Sequence, residues 1–162
     1  MKAFPTAGMD RATAVYSVIF GVICAGVVAT LLFFGEKGEM ALVLIPAVVL
    51  VAATVTAYLM IPKISVGDGK VMVKNTFVNI VFPVVSITRV ERYEKVGFNI
   101  RTFGVGGVFG YFGYFNGNDV WYVTNIRKKV KITLKTGKVY MVSPEDPDGF
   151  IDEILNMKAT FH

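Results

Sequence analysis

The sequence predicts a two-helix transmembrane hairpin followed by an all-β barrel that a C-terminal α-helix closes. Two uncharged apolar runs, residues 12–35 and 40–61, meet the length of roughly 20 residues that a helix needs to cross a ~30 Å hydrocarbon core. Turn signals then recur through the rest of the chain. The chain therefore divides into an N-terminal cytoplasmic segment (1–11), a helical hairpin (12–62) and a β domain (63–162).

Composition favours an integral membrane protein. Hydrophobic residues make up 54% of the chain and charged residues 18%, against about 25% charged in soluble domains. A signal peptide is the competing interpretation of the first run, but its apolar part is usually about 7–15 residues long. Here a second apolar run follows after the loop 36–39, which is short enough to require antiparallel helices. Pro46, inside the second run, is tolerated in a bilayer helix.

Small residues predict the face through which the helices pack. They recur every four residues, at Ser17, Gly21, Ala25 and Ala29 in the first helix and at Ala53 and Ala57 in the second. Small side chains at this spacing let helix backbones approach closely. The alternative is that alanine and glycine are simply common in such helices.

The basic residues that flank the spans predict the orientation. Lys2 and Arg11 precede the first span and Lys63 follows the second, whereas the loop between them holds only Lys37, beside two glutamates. The positive-inside rule then places both termini and the β domain in the cytoplasm, in a protein of the cytoplasmic membrane. Cys24 is the only cysteine, so no disulfide forms within the chain.

The β domain is predicted from its turns and its alternation of side chains. Asp68-Gly69 is a two-residue hairpin turn, 77–82 is a short strand, and further strands are expected at 86–94 and 119–126. In the hairpin that turns at Thr136-Gly137, Val130, Ile132 and Leu134 alternate with polar residues, which buries one face.

A final helix is predicted over 147–157. Asp146 is its cap and Pro147 its first residue. Its apolar face, suited to close the barrel, consists of Phe150, Ile151, Ile154 and Leu155.

A set of motif residues carries a resemblance to a known family. They are Arg101, Gly104, Gly106, Gly107, Gly110 and Gly113 in the glycine-rich run, Tyr122 and Thr124, and the ending with Ser143, Pro144, Asp146 and Pro147. Through them, residues 64–156 resemble the bacterial PH domains. The resemblance implies a PH-like barrel and an anchor of two membrane spans. It implies no known catalytic activity and supplies no agreed ligand-binding residues.

Enzymatic and metal chemistry lack the necessary groups in the sequence. The only histidine is His162, so a Ser-His-Asp or Cys-His system has no base. The acidic residues Glu145, Asp146 and Asp148 lack the ligand spacing of an EF-hand. We expect no catalytic residues, no metal and no cofactor.

The glycine-rich run 101–117 has two remaining interpretations. A dinucleotide-binding loop would open a helix, but a strand-like aromatic run follows here. Either the glycines let curved strands pack, or one aromatic face contacts the membrane interface or a partner. The rings on the candidate outer face are those of Phe112 and Tyr114.

Basic residues predict a second candidate surface. The β domain holds 14 lysines and arginines against 9 aspartates and glutamates, and six of the basic residues crowd neighbouring strands, at Arg127, Lys128, Lys129, Lys131, Lys135 and Lys138. Each contributes about 1 kcal/mol near an anionic leaflet. The alternative is a solvated strand face, and no nucleic-acid-binding signature is present.

Together these features predict a non-catalytic module at the cytoplasmic membrane. Its expected partners are the lipid bilayer through anionic headgroups, a second copy of itself, or a membrane protein, and no nucleic acid is expected. The alternative is a structural or regulatory subunit of a membrane transporter or envelope complex.

Overall fold

The computed structural model describes residues 1–34, 40–93 and 100–160. Within these ranges the helices are α1 (Arg11–Phe34), α2 (Met40–Leu59) and α3 (Pro147–Thr160). The strands are β1 (Lys2–Phe4), β2 (Lys63–Gly67), β3 (Lys70–Lys74), β4 (Asn79–Pro83), β5 (Ile87–Arg92), β6 (Arg101–Gly106), β7 (Tyr111–Phe115), β8 (Asp119–Val123), β9 (Val130–Leu134) and β10 (Val139–Val142). The predicted loop 36–39, the end of the predicted strand 86–94 and His162 lie outside the described residues.

The strands form two sheets, whereas a closed barrel was expected. β1 to β4 make an antiparallel sheet in sequence order, and the other strands follow the order β5-β9-β10-β8-β7-β6. In this second sheet β8 and β10 run parallel. β4 ends at Pro83. A single 3-10 turn, Val84–Ser86, then leads the chain into the second sheet. Within the described ranges, no backbone hydrogen-bond ladder joins β4 to β5.

The main hydrophobic core takes side chains from both sheets and from α3. Phe82 of β4, Phe112 of β7 and Phe150 of α3 are among its buried members. A second cluster lies on the opposite face of β7 and β8 and contains Phe115 and Trp121, whose rings stack at 4.7 Å between centroids. Aromatic rings therefore occupy both faces of β7, with Phe112 in the main core and Phe115 in the second cluster.

The C-terminal helix begins where the sequence predicts and continues to Thr160. The Gly149 amide donates to Asp146 Oδ1 at 3.0 Å, which confirms the cap. Phe150 and Ile154 are buried, one turn apart, but Leu155 is 48% exposed. The predicted apolar face was therefore wrong at Leu155, which lies about 100° around the helix from Ile154.

Both predicted hairpin turns are present. Asp68 and Gly69 have φ values of 53° and 71°, as a two-residue turn of mirror-image type requires. Gly137 has φ of 80° in the turn between β9 and β10. Val130 and Ile132 are buried on β9, as their alternation indicates, and Leu134 is half-buried.

One helix of the described chain, over Arg11–Thr30, is long and apolar enough to cross a membrane. The second apolar helix, over Leu44–Leu59, is shorter in its described part. The two helices contact each other, and Cys24 Sγ lies 3.7 Å from Thr54 Oγ1.

The predicted packing face of α1 was wrong. Ser17 is buried, but Gly21, Ala25 and Ala29 are exposed, and Cys24 lies at the helix–helix contact instead. A four-residue step advances about 40° beyond a full turn, whereas a seven-residue step drifts only about 20°. The residue seven positions after Ser17 therefore stays on the contact face. On α2 Ala57 is buried and Ala53 is exposed.

The N-terminal segment is an integral part of the β domain, which the sequence did not predict. β1 pairs antiparallel with β2, with Lys2 opposite Val66 and Phe4 opposite Ile64. Phe4 is buried, and its ring meets that of Phe150 edge-on at 5.2 Å. The chain on both sides of the helical pair therefore contributes to one sheet.

Phe4→Ala tests this integration. We expect the substitution to lower the free energy of unfolding by about 3 kcal/mol, because it removes a buried ring from the main core. Chemical denaturation of the full-length protein in detergent, followed by the fluorescence of Trp121, the only tryptophan, measures the effect. Phe103→Ala, at a ring that is 74% exposed, is the matched control and should change little. Equal effects of the two variants would contradict the assignment of Phe4 to the core.

Candidate functional site at the helix–domain junction

The β domain contacts the helices at a junction built from the segment 5–10, the turn 107–110, the start of α1 and the end of α2. The segment 5–10 is held by a buried hydroxyl pair. The Ala7 amide donates to the Ser143 carbonyl at 2.8 Å, and Thr124 Oγ1 donates to the Ala7 carbonyl at 2.6 Å. Ser143 Oγ accepts the Thr124 amide at 2.9 Å. Two family-motif residues therefore anchor the chain that leads into α1.

Asp10 joins the cap of α1 to the β domain. Its carboxylate accepts the Thr13 amide at 3.0 Å, which caps the helix, and the Ile126 amide at 3.2 Å, which belongs to the loop after β8. Asp10 is buried, so these bonds are shielded from water. This cap was predictable from the sequence, because an aspartate just before the first residues of an apolar helix is a typical N-cap.

The glycines of the β6–β7 hairpin let its two backbones approach closely. Gly104 and Gly113 are direct partners in the ladder. A Cβ atom at Gly104 would lie 2.1 Å from the Phe112 carbonyl oxygen, and one at Gly113 would lie 2.3 Å from that of Phe103. This supports the packing interpretation of the glycine-rich run, since no side chain fits at either position.

The turn 107–110 docks onto both helices. The Phe109 amide donates to Ser17 Oγ of α1 at 2.8 Å, and the Phe109 ring meets Tyr58 of α2 edge-on at 5.7 Å. Phe109 has φ of 57°, a conformation that costs a bulky residue about 1–3 kcal/mol. The two helix contacts are what hold it there. Ser17, predicted to face the second helix, instead accepts this bond.

The end of α2 is fastened to the turn between β3 and β4. Asn75 Nδ2 donates to the Met60 carbonyl at 3.1 Å, and Asn75 Oδ1 accepts the amides of Phe77 and Val78, each at 2.8 Å. Met60 and Ile61 pack against the main core. The helices therefore meet the β domain through direct contacts at both of their domain-side ends.

The six predicted basic residues do not form one surface. Arg127 is exposed in the loop that contacts Asp10, close to the start of α1. Lys135 and Lys138 lie beyond the other end of β9, roughly five residues or 17 Å away. Lys128 is paired with the Glu145 carboxylate, and Lys131 Nζ lies 5.7 Å from the centre of the Tyr93 ring.

Lys129 and Phe112 are buried, so neither belongs to an exposed surface. Lys129 Nζ lies 4.9 Å from the Tyr93 ring centre and 5.0 Å from that of Trp121, and burial lowers the pKa of its ammonium group. Phe112 is a member of the main core. Tyr114 remains 40% exposed. Strand alternation placed Lys129 on the polar face, but the sequence did not indicate that this face is covered by aromatic rings.

The remaining motif residues have structural positions. Pro144 forms an isolated bridge with Thr6, and Pro147 is the first residue of α3. Gly106 ends β6 and Gly107 donates its amide to the Gly110 carbonyl at 2.9 Å. Arg101 is exposed at the start of β6.

Within the described parts of the chain, no group of three histidine, cysteine or acidic side chains is arranged to hold a metal ion. The junction consists of hydrogen-bonded backbone, hydroxyls and packed rings. Such an arrangement fixes one part of the molecule against another.

The comparisons with known proteins identify the domain. A model of the Bacterial PH domain family matches residues 62–157, from β2 to α3. The chain belongs to the bacterial PH domain family. PH domains are typically non-catalytic binding modules. The segment before residue 62, with β1, α1 and α2, lies outside the match. Searches of curated proteins and of solved structures returned no match.

Ser17→Ala tests the docking of the turn. The substitution removes the acceptor of the Phe109 amide, which costs about 1–2 kcal/mol, so the exchange of this amide with solvent should accelerate about tenfold. Hydrogen exchange of the full-length protein measures it. Thr30→Ala, which removes a hydroxyl that donates to the Gly26 carbonyl within the same helix, is the control. Unchanged exchange at Phe109 in Ser17→Ala would refute the docking contact.

Glu145 makes the attachment of the segment 5–10 dependent on pH. Its carboxylate pairs with Lys128 and accepts the Gly8 amide at 3.2 Å, and these two bonds lower the pKa of Glu145 from its ordinary value of 4.5. Because the folded pKa is the lower one, the stabilisation is complete above the ordinary value and is lost as pH falls through the folded pKa.

We therefore expect wild-type protein to lose more stability than Glu145→Gln between about pH 6 and about pH 3. Denaturation curves followed by Trp121 fluorescence, recorded for both proteins at each pH, give this difference. Comparison of the two proteins cancels the titration of the other carboxylates. Parallel pH dependence would show that the Glu145 carboxylate makes no net contribution.

Proposed function

We propose that this chain is a non-catalytic, membrane-anchored PH-like module for binding and assembly. α1 and α2 cross the cytoplasmic membrane as a hairpin, and the β domain lies on its cytoplasmic face. The observation that carries the proposal is the junction, because hydrogen bonds and packed rings fix the domain to the ends of both helices.

The surface of the helices supports the membrane anchor. Apolar side chains such as Val22, Ile45 and Val49 are exposed along both helices, and Val22 is 66% exposed. A core helix of a soluble protein would bury such side chains, and large exposed apolar surfaces mark contact with a membrane or partner. α2 has 20 residues, which corresponds to about 30 Å of helix and to the hydrocarbon thickness.

Charge supports the cytoplasmic orientation. Arg11 is exposed at the first residue of α1, and Lys63 is exposed at the start of β2, just after α2. Both therefore lie on the domain side of the helices, where the positive-inside rule expects basic residues.

A domain that is fixed to its anchor presents its binding surfaces at a constant height above the bilayer. A flexible linker would let the domain sample many orientations. Here the chain enters α1 directly from Asp10, and α2 leads into β2 through three residues, 60–62. The same surface of the domain would then contact its partner each time, whether that partner is an anionic headgroup, a second copy of the chain or another protein.

The second candidate function is a structural or regulatory subunit of a membrane transporter or envelope complex. Its support is an exposed aromatic pair at one end of the second sheet, where Phe103 of the edge strand β6 and Tyr114 of β7 are partners in the ladder. Purification of the full-length protein in mild detergent distinguishes the candidates. A stoichiometric partner that is lost on Phe103→Ser favours the subunit, and a homogeneous preparation of this chain alone favours the module.

Cysteine labelling tests the anchor and its orientation. In a Cys24→Ala background, Lys135→Cys places one thiol on the β domain and Gly38→Cys places one in the predicted loop between the spans. A membrane-impermeant maleimide should label Gly38→Cys in intact spheroplasts and Lys135→Cys only in inverted vesicles. Labelling of both thiols from the same side would overturn the hairpin, and the reverse pattern would overturn the cytoplasmic orientation.

A further inference from the structure

A pocket of about 350 Å³ lies at the end of the second sheet that is opposite the junction. The turn between β7 and β8 and the turn between β9 and β10 form its walls. Its lining residues are Asn118, Asp119, Thr136, Gly137, Lys138 and Val139. We propose that this pocket binds a small zwitterion, an amino acid or a dipeptide, through its ammonium and carboxylate groups. Such a site goes beyond the proposed assembly role and requires only the β domain.

The direction of the strands explains why a cavity forms here. β8 and β10 are neighbours in the sheet and run parallel, so the turns that precede them lie side by side at the same end. A short turn can connect neighbouring antiparallel strands across the end of a sheet, but it cannot connect parallel ones. The space between the two turns therefore stays open.

Two opposite charges line the pocket and do not pair with each other. Asp119 and Lys138 are both half-buried. Among the described residues, neither side chain forms an ion pair or a hydrogen bond. The Lys138 ammonium group instead lies 5.6 Å from the centre of the Tyr140 ring. Partial burial of a charge without an opposite charge beside it is unfavourable, and a ligand that brings the opposite charge to each group offsets this cost.

The environment of Asp119 favours an ammonium group as its ligand. Burial raises the pKa of its carboxyl group, and the charge of Lys131 counteracts this effect only in part. A hydrogen-bonded ammonium group in the pocket would stabilise the carboxylate form directly. Lys138, Asn118 and Thr136 supply donors for a carboxylate. The pocket thus combines one anionic acceptor with several donors, as an amino acid or a dipeptide requires.

The position of the pocket favours a soluble ligand over a lipid. Asp119 begins β8, and Thr124, just after the end of that strand, contacts the segment before α1. The five residue steps between them place the pocket about 17 Å from the junction. The helices meet the domain at its other end, so a molecule in solution reaches the pocket directly.

Saturation-transfer NMR and calorimetry of the full-length protein in detergent test the site. The probes are L-alanine and L-alanyl-L-alanine, which carry the two charges at different separations. Their matched controls are the N-acetylated forms, which lack the ammonium group, and the C-terminal amides, which lack the carboxylate. We expect at least one zwitterion to bind saturably. Its capped forms should bind at least about tenfold more weakly, because each loses a hydrogen bond to a charged group.

Two variants assign the binding to this pocket. Asp119→Asn keeps the shape of the side chain and should weaken the zwitterion at least about tenfold without further weakening its N-acetylated form. Lys138→Gln should weaken the zwitterion without further weakening its C-terminal amide. Lys135→Gln and Asp152→Asn remove the same charges from exposed positions outside the pocket and should leave binding unchanged. Unchanged denaturation midpoints show that the variants remain folded.

Three results would overturn the proposal. One is the absence of saturable binding for both zwitterions. Another is a capped form that binds as tightly as its zwitterion, which would show that one of the two charges is not recognised. The third is an equal effect of the pocket variants and the control variants, which would place the binding outside this pocket. None of them bears on the membrane anchor, which cysteine labelling tests independently.

Discussion

The hydrogen bonds between Ala7, Thr124 and Ser143 are the contact on which the arrangement of this molecule depends. They hold the chain before α1 in the β domain and bring Asp10 to the start of the helix. Thr124 and Ser143 are both buried, so loss of one of these hydrogen bonds would leave a buried polar group without a partner and would destabilise the fold. The start of α1 is thereby fixed, and the contact of Ser17 with Phe109 follows from it.

Much of the fold was predictable from local signals. The two hairpin turns, the alternation along β9 and the cap at Asp146 each depend on residues close together in the sequence, and the structure contains them all. The direct pairing of Lys63 with Lys74 was also accessible, since it follows from counting outward from the Asp68-Gly69 turn. The sequence did not reveal that the strands form two separate sheets, because barrel closure depends on which strands distant in sequence pair with each other.

The candidate surfaces were harder to predict because burial is a tertiary property. Alternation placed Lys129 and Lys131 on one face of β9, but only the fold brings Tyr93 and Trp121 over Lys129. Phe112 and Tyr114 lie on the same face of β7, yet Phe112 is buried in the main core and Tyr114 is exposed. The role of residues 2–4 was missed because a three-residue strand carries no periodicity of its own.

The pairing of β1 with β2 has a consequence for biogenesis. The two strands lie on either side of the helical pair in the sequence, so Phe4 meets Ile64 only after roughly 60 intervening residues have been made and α1 and α2 have packed against each other. Until the two strands pair, β1 has no partner and the outer edge of β2 is open, and open strand edges are sites of aggregation. A fragment that starts at Lys63 keeps that edge permanently. Completion of the four-stranded sheet therefore requires both helices to have formed, which couples the folding of the β domain to that of the helical pair.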